Sequence, residues 1–87
     1  MKIDGSFVRD MLNDPIDLAL VKAINDISRS LDKYSVAEYV ENKELFTTLR
    51  DIGVDYGQGY FIARPVPVEK INDELEKIYQ NKSIYQQ

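Results

Sequence analysis

The chain has 87 residues, 44% hydrophobic and 30% charged, which is the composition of one small folded domain and not of a disordered tail. It contains no cysteine and no histidine, which excludes disulfides, thiolate zinc sites, cysteine nucleophiles, histidine triads and imidazole acid–base catalysis. A net charge of −4, from 15 acidic and 11 basic residues, gives no electrostatic footprint for duplex DNA or RNA.

The remaining chemistry belongs to carboxylates, lysine, amides, hydroxyls or borrowed metals. A small phosphorylated ligand would need metal cations between it and the acidic residues. The apolar stretch from Leu18 to Ile24 is too short and too interrupted to span a bilayer, and no basic segment precedes a long apolar run at the start. The sequence therefore predicts a cytoplasmic chain with no membrane segment.

In chain order, Lys2 to Val8 opens with an apolar–polar alternation that reads as a first strand. Asn13-Asp14-Pro15 is a helix start, with a capping side chain followed by a proline whose missing N–H is harmless in the first turn. Ile16, Leu20, Ala23, Ile24, Ile27 and Leu31 follow at helical spacing, predicting a helix over Pro15 to Leu31. Tyr34 to Val40 reads as a second strand. Asn42 caps a second helix carrying Leu45, Phe46, Leu49 and Ile52, with Gly53 as its stop. Val54 to Tyr56 begins a short third strand that runs into Gly57-Gln58-Gly59, and Pro65 and Pro67 punctuate the next segment. A third helix, from Val68 to about Asn81, places Ile71, Leu75 and Ile78 on one face. Residues 83–87 read as a frayed tail behind a domain spanning 1–82.

Three strand–helix units in series imply an α/β fold with a parallel sheet. Periodicity leaves two architectures open, a piece of a (β/α)8 barrel or a small doubly wound sheet. Both gather functional groups at the C-terminal ends of their strands. Lys2 and Asp4 lie two apart on the first strand and share a face; Glu38 lies late on the second, with Glu41 beyond it; Gln58 follows the third, between two glycines that let backbone approach a ligand. A cation, two carboxylates and a carboxamide on one rim make up a set used in metal-assisted phosphoryl chemistry.

Each of these residues also has an ordinary reading. Lys2 can be an exposed residue at the chain start, and Glu38 can pair with Lys2 or Arg64. Glu41 can cap or pair at the second helix, and Gln58 can sit in a plain tight turn. Tyr56, Tyr60 and Phe61 are packing candidates, and Glu69 to Lys77 reads as a solvated helix face with i, i+4 pairs.

Four segments, in order, carry a resemblance. Lys2-Ile3-Asp4-Gly5-Ser6-Phe7-Val8, Val36-Ala37-Glu38-Tyr39-Val40-Glu41, Gly53-Val54-Asp55-Tyr56-Gly57-Gln58-Gly59-Tyr60 and Arg64-Pro65-Val66-Pro67 are similar to the KID-x-SFV, AExVE, G-x-D-x-x-QGY and RPxP segments of EAL domains. The resemblance implies three consecutive βα units of a (β/α)8 TIM-like barrel, its C-terminal part. It also implies hydrolysis of cyclic di-GMP to linear pGpG with Mg²⁺ or Mn²⁺ in the complete domain. By that pattern Lys2 stands beside the attacking water or the metals, and Glu38 is a metal ligand or the base. Gln58 holds the water or phosphate, Glu41 anchors the neighbouring loop, Asp4 supports the motif, and Arg64 and Pro65 border the nucleotide pocket.

The EAL tripeptide and the other acidic and amide ligands of the family are absent from these 87 residues. The resemblance therefore implies a fragment that binds no metal and is inactive alone. Three strands cut from a barrel expose edges and an inner face, which predicts self-association. The alternative is a degenerate EAL-derived module that binds nucleotide or protein without turnover; a third reading is an unrelated small α/β domain. The length of the native gene product discriminates between them.

Overall fold

A computed structural model of the chain describes residues 1–59 and 64–85. The first strand, β1 (Lys2–Ile3), is far shorter than the alternation suggests, because Asp4 ends it. The Asp4 carboxylate accepts from the Ser6 backbone N–H at 2.8 Å and from the Ser6 hydroxyl at 2.7 Å. That N-cap starts α1 (Gly5–Asp10), so Phe7 and Val8 are helical and not extended. The expected strand through Val8 is corrected accordingly.

Helix α2 (Pro15–Ser30) begins where its signals placed it, with Asp14 accepting from the Ile16 N–H at 2.9 Å and Pro15 in the first turn. Its packing face differs from the expected one. Val21, Asn25 and Ser28 are buried, with Leu18 and Ile24 packed beside them, while Ile16, Leu20, Ile27 and Leu31 point outward. Two buried polar residues hide the true inner face from an apolar periodicity. They are tolerated because each is hydrogen-bonded: Ser28 donates to the Lys33 carbonyl at 2.8 Å, and Asn25 to that of Ile52 at 3.2 Å.

Strand β2 (Val36–Ala37) is followed by α3 (Lys43–Ile52). Asn42 caps α3 by accepting from the Leu45 N–H at 2.8 Å, and Gly53 closes it in the left-handed region at φ 95°. Val54 N–H still bonds the Leu49 carbonyl, so Val54 belongs to the helix stop. Strand β3 (Tyr56–Gly57) therefore starts later than expected. The proline-punctuated segment holds a fourth strand, β4 (Val66–Pro67), before α4 (Val68–Tyr85), which continues past Asn81. Pro67 fits there because β4 is the edge of the sheet. The side chains of Leu75 and Ile78, and Tyr60 and Phe61 entirely, lie outside the described residues.

The sheet runs β1-β2-β3-β4, with β1, β2 and β3 parallel and β4 antiparallel to β3. Lys2 aligns with Val36 and Tyr56, and Ile3 with Ala37 and Gly57. Ile3, Ala37, Gly57 and Val66 are buried under the helices with Val8, Leu45, Leu49 and Ile71. Lys2, Val36, Tyr56 and Pro67 occupy the opposite, open face. This is a partial barrel: three parallel βα units with an inner face that no opposite wall covers among the described residues. No helix among the described residues is long and apolar enough to cross a membrane.

At the N-terminal ends of the strands a polar clasp ties the layers together. Ser35 Oγ donates to Asn25 Oδ1 at 2.8 Å and accepts from the Asp55 N–H at 3.2 Å, while the Asp55 carboxylate takes the Ser35 N–H at 2.9 Å. Arg29 adds a bond to the Gly53 carbonyl at 2.8 Å.

Candidate functional site

The opposite end of the sheet carries the chemistry. Beyond the ladder, Glu38 N–H bonds the Ile3 carbonyl at 3.1 Å and Gln58 N–H the Ala37 carbonyl at 2.8 Å. These bonds extend the parallel register by one step and place Glu38 beside Gln58. Strand parity puts both on the open face with Lys2. Lys2 lies one side-chain layer below them, about 6–7 Å along the strand direction. Val40 N–H bonds the Gln58 carbonyl at 3.0 Å, which locks the two strand ends together.

Glu38, Tyr39, Glu41, Gln58 and Gly59 line one open cleft of about 440 Å³ at these ends. Glu38, Glu41 and Gln58 are half-buried, so their polar groups face the cleft from a partly desolvated rim. The glycines flanking Gln58 are required by close packing. A Cβ on Gly57 would strike Ile71 and Val40, and one on Gly59 would sit 2.7 Å from the Val40 carbonyl.

The other sequence-derived candidates sit around this cleft in different ways. Asp4 is the cap of α1, and its bonds to the Ser6 N–H and hydroxyl hold its carboxyl below the usual 3.8. Arg64 and Pro65 are exposed immediately before β4. The antiparallel pairing of Gly57 with Val66 brings them to the cleft end of the sheet. Among the described residues, ion pairs join Arg9 to Asp10 and Arg50 to Asp51, and neither Lys2 nor Arg64 pairs with Glu38. A groove of similar size, about 430 Å³, between α2 and α3 is lined by Leu18, Lys22, Asp26, Thr48, Asp51 and Ile52, and holds none of these groups.

Among the described residues, no three His, Cys, Asp or Glu side chains converge as metal ligands. Among the described residues Glu38 and Glu41 are the carboxylates on the cleft, a number that would hold Mg²⁺ or Mn²⁺ only together with phosphate, water or further oxygen ligands. The described residues thus fit a metal as contributors to a shared site.

Sequence reasoning missed Tyr39, which lines the cleft with φ at 67°. Its position between Glu38 and Glu41 was the available signal. It also missed Asn25, Ser35 and Asp55, whose clasp explains the aspartate of the Gly53-Val54-Asp55 segment without any role in chemistry.

Comparison with known proteins agrees with this geometry. The sequence profile of the EAL domain matches residues 1–65. The chain is 42% identical over 76 residues to the cyclic di-GMP phosphodiesterase PdeB of Shewanella oneidensis, covering 87% of this chain and 9% of that protein. It is 38% identical over 81 residues to the cyclic di-GMP phosphodiesterase PdeF of Escherichia coli, covering 93% of this chain and 11% of the relative. Among solved structures, the PaMucR phosphodiesterase in complex with c-di-GMP superimposes with a TM-score of 0.67 at 36% identity, covering 80% of this chain and 28% of that one. The chain spans about a tenth of the length of the curated relatives it matches. By profile, sequence and fold, the chain belongs to the EAL domain family.

Proposed function

We propose that these residues supply part of the active site of an enzyme that hydrolyses cyclic di-GMP to linear pGpG in the cytoplasm. One observation carries this reading: Glu38, Glu41 and Gln58, from two adjacent βα units, meet over one cleft at the C-terminal strand ends. In a parallel α/β fold that end is where ligands bind. Relatives and structural neighbours named for cyclic di-GMP support the substrate class.

In this reading Glu38 would contribute one carboxylate to Mg²⁺ or Mn²⁺ or take the proton of the attacking water, with the remaining ligands supplied from outside these residues. When bound, the metal supplies Lewis-acid stabilisation of the phosphoryl oxygens. Gln58 orients the water or a phosphate oxygen through its amide. Lys2, one layer deeper, offsets charge developing on the phosphate. Glu41 braces the loop ahead of Asn42, Asp4 fixes the first rim helix, and Arg64 and Pro65 border the nucleotide.

The 87-residue chain is then inactive alone. The test is conversion of cyclic di-GMP to pGpG with Mn²⁺ by the native protein, these residues together with the part that supplies the remaining ligands, and by its Glu38→Gln variant. The native protein turns over and the variant loses at least about a hundredfold, the scale of a general acid–base or charge-stabilising group. Turnover unaffected by the substitution would remove Glu38 from the chemistry. A second reading, binding without turnover, is favoured by the absence of three converging metal ligands among the described residues. It predicts nucleotide binding with no pGpG at any metal concentration.

Self-association is part of the proposal. The far edge of β1 pairs with no strand among the described residues, and the open sheet face is partly exposed, with Tyr34 edge-on to Tyr56 upon it. Helix α2 turns out Ile16, Leu20, Ile27 and Leu31, at 71%, 38%, 50% and 56% exposure. Burying such a stripe is worth about 25 cal/mol per Å².

A further inference from the structure

From the backbone at the cleft we infer that Tyr39 is a positioning residue for the ligand, its ring stacking against a planar nucleobase at the cleft's outer wall. This rests on the proposed cyclic di-GMP reading and adds to it a residue that does no chemistry.

Three observations support it. Tyr39 has φ of 67°, in the left-handed region, where a Cβ crowds the following carbonyl and a bulky aromatic is disfavoured. The other described non-glycine residue with positive φ is Asp32, whose short polar side chain suits that region. Glycine or asparagine would occupy position 39 with less strain, so the tyrosine is there at a cost. Strain of this kind concentrates at ligand sites, where the contact it enables outweighs it.

The backbone around Tyr39 is closely packed. Gly5 opens α1 directly against this residue, and a Cβ there would lie 3.1 Å from the Tyr39 Cβ and 3.6 Å from that of Glu38. A side chain at position 5 would therefore crowd the Tyr39 Cβ and disturb the conformation that sets it on the cleft. The glycine on one βα unit lets the Glu38–Tyr39 backbone of the next approach closely.

The ring is also available. Tyr39 remains 43% exposed while lining the same cleft as Glu38, Glu41, Gln58 and Gly59. The amide of Gln58 suits the phosphate end of a nucleotide directly, and the carboxylates would do so through a bridging cation. The base attached to that phosphate needs a flat, sequence-tolerant surface, and an aromatic ring provides one.

The test is equilibrium binding of cyclic di-GMP to the native protein by titration calorimetry, with Tyr39→Phe and Tyr39→Asn. Phenylalanine keeps the ring, and asparagine keeps a backbone suited to positive φ while removing the ring. The expected result is a Kd within about twofold for Tyr39→Phe and about tenfold weaker for Tyr39→Asn, in the range set by loss of one base–aromatic stack. The melting temperature of Tyr39→Asn should equal or exceed that of the native protein, which separates lost stacking from lost folding. A guanine-free probe, ribose 5-phosphate, should bind the native protein and Tyr39→Asn alike. Equal cyclic di-GMP affinity for native protein and Tyr39→Asn overturns the inference, as does equal weakening for both ligands. No binding of cyclic di-GMP by the native protein overturns the ligand assignment itself and this role with it.

Discussion

Replacing Asn25 with alanine removes the centre of the clasp between α2, the start of β2 and the start of β3. Asn25 is 1% exposed, donates to the Ile52 carbonyl at 3.2 Å and accepts from the Ser35 hydroxyl at 2.8 Å. Two buried hydrogen bonds are each worth about 1 kcal/mol net, and the space left by the amide adds to the loss, so Asn25→Ala should cost about 2–3 kcal/mol. Ser35→Ala loses the same 2.8 Å bond and leaves the Asp55 N–H without its hydroxyl acceptor, at about 2 kcal/mol. The bond they share is lost in both single variants. The double variant should therefore cost about 1 kcal/mol less than the sum. Urea unfolding followed by far-ultraviolet circular dichroism measures this. With a slope of about 1 kcal/mol per molar urea for a chain this small, the Asn25→Ala midpoint falls by about 2 M. This is a large share of the roughly 4–13 kcal/mol expected of a domain of this length. A midpoint shift under about 0.5 M at unchanged slope, or strict additivity in the double variant, would refute the clasp as a cooperative unit.

Other features carry outcomes of their own. Gly57→Ala should lower the urea midpoint by the equivalent of about 2 kcal/mol, because its Cβ would strike Ile71 and Val40 in the core. A variant with Leu20→Glu and Ile27→Glu should sediment as a monomer at concentrations where the native chain associates, and unchanged association would clear α2 of that role. Asp4 titrates below its ordinary 3.8 in the folded state, so it contributes stability above that pH and loses it as pH falls through the folded value. The melting temperature of Asp4→Ala should thus lie below that of the native protein at pH 6, with the gap shrinking as the solution is taken well below pH 3.8; a gap independent of pH would remove the carboxylate's charge from the account.

Some elements were legible because their signals are local. Asp14-Pro15 and the Asn42–Gly53 bracket fixed the helices they bound, since capping depends on a few adjacent residues. The same locality misled at Asp4-Gly5-Ser6, where the cap outweighs the alternation in Lys2 to Val8. The inner face of α2 was illegible for a different reason. Its burial of Asn25 and Ser28 depends on acceptors in Ile52 and Lys33, which only the tertiary structure brings close. Strand β4 was hidden by its prolines, which forbid an interior strand but suit a reversed edge. The placing of Glu38 beside Gln58 followed from strand order and parity, while Glu41 joins them beyond the break in the strand at Tyr39. Tyr39 escaped notice because φ is not written in residue type.

The strands here are only two residues long, and their alternation decides which groups face the cleft. Chain length between fixed points therefore becomes a functional variable. Deleting one residue between Ser35 and Glu38, with the clasp holding Ser35 in place, would rotate the Glu38 carboxylate beneath the helices and expose its neighbour instead. An extra residue in the turn between Asp10 and Asp14 would leave that alignment intact, since that turn joins two helices outside the sheet. Natural variants should accept insertions at the second place and reject changes of length at the first.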